Sequence, residues 1–112
     1  DWRASGGRWW RSKSSDTFGP PGPTIVEDVD LDAPVSIRAW VDGMLLQDGA
    51  SEDMIFGFGE LLTFITRTVT LEPGDVVLTG SPAGAAPIAV GSTVEIEVDG
   101  VGRLFNRAEA GA

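Results

Sequence analysis

From Val35 onward, apolar and polar positions alternate: Val35, Ile37, Ala39 and Val41 fall on one side of an extended chain, Ser36, Arg38 and Trp40 on the other. A period of two predicts a β-strand with one buried face. Asp42-Gly43 suits a tight two-residue hairpin turn, after which "MLLQ" returns as a second strand. "DGAS", residues 48–51, reads as a loop. The period then changes. Met54, Phe58, Leu61, Leu62, Ile65 and Val69 recur at spacings of three and four, which predicts a helix from Glu52 to about Val69 with one apolar face against the sheet. Ser51 sits where an N-cap belongs, and Glu52 and Asp53 fall near the positive end of the helix dipole. Gly57 and Gly59 each cost such a helix about 1 kcal/mol.

Beyond the helix, "LEPGD" (71–75) forms a Pro-Gly turn and "VVLTG" (76–80) reads as a short buried strand. "SPAGAAPIAVGS" is a long loop. "TVEIEVDGVGRLFN" (93–106) is a second hairpin with Asp99-Gly100 at its turn. The tail "RAEAGA" is expected to fray. These elements make a mixed α+β, β-rich chain with one main helix, and the strand spacing suggests a roll or barrel.

Composition narrows the chemistry. A chain of 112 residues supports one domain with a modest core. It contains neither cysteine nor histidine. Disulfides, thiolate nucleophiles, Ser-His-Asp relays and histidine- or cysteine-based metal sites are therefore excluded within it. Acid–base work and metal binding fall to carboxylates, Lys13, hydroxyls and backbone. The net charge is −9, from 8 basic and 17 acidic residues. Arg3, Arg8, Arg11 and Lys13 crowd the first thirteen positions beside Trp2, Trp9 and Trp10, a mixture that single-stranded nucleic acid can attract. The strongly acidic remainder repels phosphate, so nucleic-acid binding is not expected. No apolar run reaches membrane-spanning length and no signal segment opens the chain, so a cytoplasmic protein without membrane contact is expected. The sequence begins without Met and meets Trp9-Trp10 early, which suggests part of a longer protein.

Three clusters carry candidate chemistry. Lys13, Ser14, Asp16 and Thr17 open "KSSDTFGPPGP", where Pro20, Pro21 and Pro23 fix φ and hold the segment stiff without making it helix or strand. Gln47 lies in "LLQDGAS". Thr79, Gly80 and Ser81 begin "TGSPAG", whose hydroxyls and free N–H groups suit a carboxylate or an enolate oxygen. Each also has a plainer reading: a solvated Lys13 on a rigid connector, a Gln47 facing solvent on an edge strand, and hydroxyls that satisfy turn hydrogen bonds.

Taken in order, "KSSDTFGPPGP", "VDGMLLQDGASEDMIF", "LEPGDVVLTGSPAG" and "VEIEVDGVGRLFN" resemble the fumarylacetoacetate hydrolase family, in the C-terminal part of its catalytic domain. The resemblance covers nearly the whole chain. It implies a homodimeric enzyme of the family's β-rich fold acting on small oxo-acids or β-dicarbonyl compounds in catabolism. Members hydrolyse C–C bonds, as in acylpyruvates and fumarylpyruvate; relatives isomerise, hydrate or decarboxylate. A non-catalytic oligomerisation fragment is the reading from another class. The resemblance further implies a divalent metal, Mg2+ or else Mn2+ or Ca2+, that polarises the keto-acid oxygens.

By the same resemblance, Lys13 is the catalytic lysine, its ammonium set against the substrate's negative charge. Thr17 and Gln47 look like substrate-contacting residues, and Thr79, Gly80 and Ser81 like a carboxylate-binding loop. Ser81 stands where threonine is commoner, and "DGAS" where relatives often carry an Asn-Thr pair. The family's metal-binding glutamates and aspartate, a substrate-binding arginine and the lid histidine are all expected upstream of Asp1. This chain itself is expected to hold the substrate side of a site and no metal ligands.

Overall fold

The computed structural model describes residues 13, 14 and 16–110. The basic and aromatic opening up to Arg11, and the end of the tail, lie outside the described residues. Within the described residues 16–110 lie four strands and one α-helix: β1 (Ser36–Val41), β2 (Met44–Ala50), α1 (Phe58–Thr66), β3 (Thr93–Val98) and β4 (Gly102–Arg107), with a single 3-10 turn at Ser51–Asp53. The strands form one antiparallel sheet in the order β2-β1-β3-β4, two hairpins laid side by side with β1 and β3 in the centre.

The period-two pattern of β1 becomes two chemically different faces. Cross-strand partners share a face. Ile37 pairs with Val98, Ala39 with Ile96 and Val41 with Val94, and Ile96 pairs with Leu104, which gives an apolar face. On the other face Arg38 pairs with Asp48 and Glu97, and Glu97 with Arg103. There Arg38 meets Glu97 at 3.0 Å and Asp48 at 3.5 Å, Arg103 contacts Glu97 and Glu95, and the Arg103 guanidinium lies 5.4 Å above the Trp40 ring. The Arg103 contacts hold its guanidinium proton more firmly than usual, chiefly through the hydrogen bond to Glu97.

Both predicted hairpins form. Asp42 (φ 50) and Gly43 (φ 79) each take left-handed conformations, as a type I′ turn requires. Asp42 also turns its carboxylate toward the start of β3, accepting the Thr93 N–H at 2.8 Å. That bond, with a second from Ser92, holds the Asp42 carboxyl below its ordinary range.

Several elements differ from the sequence expectation. β2 extends to Ala50, because Asp48, Gly49 and Ala50 continue the ladder opposite Arg38, Ile37 and Ser36. The helix is shorter than predicted. Ser51 does not cap it: its hydroxyl accepts the Val35 N–H at 3.0 Å and ties the end of β2 to the start of β1. Asp53 accepts the Ala50 N–H, so these capping groups close one 3-10 turn and the chain then extends at Met54. α1 begins afresh after Gly57, whose N–H donates to Glu60 at 3.1 Å. It ends at Thr66, so Val69 lies outside it, 53% exposed. Residues 76–80 form no strand; Val76 and Leu78 are exposed, because no described strand pairs with them. The tail is held further than expected: β4 runs through Arg107, and the Ala108 N–H donates to the Ser92 carbonyl.

The expected apolar stripe of the helical region is only half-buried, at Met54, Phe58, Leu61, Leu62 and Ile65. Among the described residues no apolar side chain is buried, and Ser92, 9% exposed, is the one residue that is. Large apolar residues such as Ile55, Phe56 and Phe64 stand open. Half a core is present, facing outward.

Candidate functional site

The 79–84 loop lies against the last residues of β2, and small residues make that approach possible. A bulge between Ala39 and Trp40 shifts the β1–β2 register and leaves Leu46 without a directly opposed partner. Gly84, at φ 97, sits over that residue; a Cβ there would run into the Leu46 carbonyl. Three residues on from Leu46, a Cβ on Gly49 would stand 2.9 Å from the Pro82 Cβ. Between these contacts the Gln47 side chain, on the apolar face opposite Ala39, donates from Nε2 to the Pro82 carbonyl at 2.6 Å. Gly80 turns the loop at φ 110, a conformation open to glycine and few others.

A cleft of about 720 Å³ opens beside this loop. Ile37 and Val98 of the sheet, Met54 and Phe58 of the helical region, and Thr79 and Ser81 of the loop all line it. Thr79, Gly80 and Ser81 are exposed, and among the described residues their hydroxyls and the Gly80 N–H have no hydrogen-bond partner. An apolar trough edged by a few donors suits a small organic acid whose carboxylate reaches the loop.

The structure thus sets Thr79, Gly80 and Ser81 along the cleft and Gln47 against Pro82, the residue after Ser81, without bringing Gln47 itself into the cleft lining. It does not bring Lys13 or Thr17 into the cleft lining, and both are exposed. Thr17 adopts φ 67, a left-handed conformation that a β-branched residue rarely holds without support from its surroundings. Asp48 and Asp53 also border the cleft. Among the described residues no three carboxylates gather closely enough to hold a metal ion, so the residues present do not fit one. Also among the described residues, no helix is long and apolar enough to cross a membrane.

Sequence reasoning placed Pro82 and Gly84 in the candidate "TGSPAG" loop without a role of their own, and gave Gly49 no part in the site. One signal was available: an isolated glycine within a strand often marks a close backbone approach, which is the role of Gly49.

The family model described as "Fumarylacetoacetate (FAA) hydrolase C-terminal" matches residues 1–109. An uncharacterised protein of Methanocaldococcus jannaschii is 41% identical over 106 residues, which cover 95% of this chain and 44% of that protein. The 4-hydroxyphenylacetate degradation bifunctional isomerase/decarboxylase of Salmonella dublin is 38% identical over 99 residues, 87% of this chain and 23% of that protein. Among solved structures, 5-carboxymethyl-2-hydroxymuconate delta-isomerase from Mycobacterium smegmatis superposes with a TM-score of 0.88 at 41% identity, covering 96% of this chain and 42% of that one. Maleylpyruvate hydrolase from Sphingobium sp. SYK-6, solved with manganese(II) and pyruvate, superposes with a TM-score of 0.71 at 27% identity over 75% of this chain and 32% of that one. The chain spans less than half the length of these relatives.

Proposed function

Because this chain belongs to the fumarylacetoacetate hydrolase family, we propose that it forms the C-terminal part of a catalytic domain whose complete protein hydrolyses a C–C bond of small oxo-acids, of the acylpyruvate or fumarylpyruvate type. The observation that carries this reading is the docked 79–84 loop, which presents two hydroxyls and a glycine N–H along an apolar cleft. In this reading Thr79, Ser81 and the Gly80 N–H hold the substrate carboxylate, Thr17 contributes a further hydroxyl, and Gln47 stands behind the loop. Lys13 supplies a compact positive charge for the oxyanion that develops as the bond breaks. A divalent metal, when bound by residues upstream of this chain, supplies Lewis-acid polarisation. The complete protein is a cytoplasmic homodimer in this proposal.

A second reading, an isomerase or decarboxylase on the same scaffold, is favoured by one observation. The muconate isomerase is more similar to this chain, at 41% identity, than the maleylpyruvate hydrolase, at 27%. Incubating the complete protein and a divalent metal with fumarylpyruvate and, separately, with 5-carboxymethyl-2-hydroxymuconate distinguishes the two. Pyruvate release from the first supports hydrolysis. A shift of the diene absorbance without release supports isomerisation, and turnover of neither overturns the functional reading.

A further inference from the structure

The Gln47 amide is committed to another part of the protein. Its Nε2 donates to the Pro82 carbonyl at 2.6 Å, in a part-buried bond that spans 35 residues of sequence. On either side the loop is seated by shape: Pro82 against Gly49, and Gly84 against the Leu46 carbonyl. Three contacts thus join Leu46, Gln47 and Gly49 of β2 to Pro82 and Gly84 of the loop. Proline makes the central one effective, because its ring fixes φ and its tertiary amide leaves the carbonyl as its one backbone hydrogen-bonding group. The loop has no strand partner of its own, so these contacts set where Thr79, Gly80 and Ser81 stand over the cleft.

We infer that Gln47 is a positioning residue, acting on the substrate through the 79–84 loop by holding the Pro82 carbonyl, and that Gly49 and Gly84 are the seats this clamp requires. The inference rests on the proposed oxo-acid site, whose carboxylate-binding groups it would place. A displacement of about 1 Å in such groups costs up to about 10²-fold in rate, so losing the clamp should be costly even with every loop side chain intact.

The test uses the complete protein with Gln47→Leu, which keeps the bulk and removes the donor, and Gln47→Glu, which also sets a carboxylate against the Pro82 carbonyl. Hydrogen–deuterium exchange of the 79–84 segment should quicken in either folded variant, with β1 and β3 unchanged. In turnover assays Gln47→Leu should lower kcat/KM by about 10-fold to 10²-fold, and the loss should largely disappear in a Ser81→Ala, Thr79→Ala background, where there is little left to position. Gly84→Ala should reproduce the Gln47→Leu behaviour. Unchanged exchange in the loop overturns the inference, and so does a Gln47 effect that adds fully to the hydroxyl deletions, the mark of direct substrate contact. If the parent turns over no oxo-acid, the functional reading has failed while exchange still decides the clamp.

Discussion

Arg38 donates from Nη1 to Glu97 Oε1 at 3.0 Å, joining the two central strands of the sheet on the face opposite its apolar residues. Asp48 on one neighbouring strand lies 3.5 Å from the same guanidinium, and Asp99, just past β3, lies 3.6 Å away. Arg38 therefore balances three carboxylates, while Glu97 is shared with Arg103. The alternation of apolar and polar positions read in "VSIRAWV" is one half of this arrangement, and the strand register is the other.

This ladder makes the first prediction. In the complete protein, a double-mutant cycle with Arg38→Ala and Glu97→Ala should give a coupling of about 0.5–1 kcal/mol, the scale of partly exposed pairs. The single Arg38→Ala change should cost more than the single Glu97→Ala change, because it leaves like charges side by side. Denaturant midpoints in low and high salt check both points, since screening weakens the coupling. A cycle that closes to zero would remove the ladder from the stability account.

The Asp42 carboxylate predicts a pH dependence. Its folded-state pKa is lowered by the Thr93 N–H and then by Ser92. A lowered folded pKa contributes stability above the unfolded value, and that contribution is lost as pH falls through the folded one. Asp42→Asn, which retains an acceptor but does not titrate, should be less stable than the parent near neutrality. The gap should close on acidification below about pH 4, the ordinary carboxylate range. Denaturation midpoints across that range check the sign; a constant gap would assign the bond no linkage.

Lys13 predicts a kinetic signature in the complete enzyme. If its ammonium meets charge that grows in the transition state, Lys13→Met should lower turnover by about 10²–10³, far more than it weakens ground-state binding. Lys13→Arg should rescue poorly, because a planar guanidinium does not place its charge where a point-like ammonium sits. Unchanged turnover and affinity in Lys13→Met would leave it a solvated lysine on a rigid connector.

The spacing of carboxylates predicts that this chain by itself binds magnesium weakly, since among the described residues none gather as an oxygen cage. Calorimetric titration of the isolated chain should show no tight stoichiometric site, whereas the complete protein should show one. A tight site in the isolated chain would relocate the metal ligands into these residues.

Much of the fold was legible because local chemistry decides it. Alternation at 35–41 and 93–98 specifies two faces, and Asp42-Gly43 can supply the two left-handed residues of a tight turn wherever it stands. The helix boundary was not legible, because Ser51 and Asp53 are ordinary capping residues with two possible uses. Val35, sixteen residues away, claims the Ser51 hydroxyl, and the helix waits for Gly57. The apolar run 76–80 reads as a strand in sequence, but a strand also needs a neighbour, and none of the described strands lies beside it.

The candidate site divides along the same line. The residue types proposed to hold an oxo-acid, at Lys13, Thr17, Thr79, Gly80 and Ser81, are determined by the sequence, since hydroxyls, an ammonium and a flexible glycine carry their chemistry anywhere. What only the tertiary structure decided is which of them meet, because proximity across a long stretch of chain depends on register and close packing. A one-residue bulge in β2, the missing side chains of Gly49 and Gly84, and the turn of the Gln47 amide toward Pro82 bring the 79–84 loop onto the sheet. None of those contacts has a local signal strong enough to announce its partner, because each is a fit between two surfaces that become neighbours only after the strands have paired.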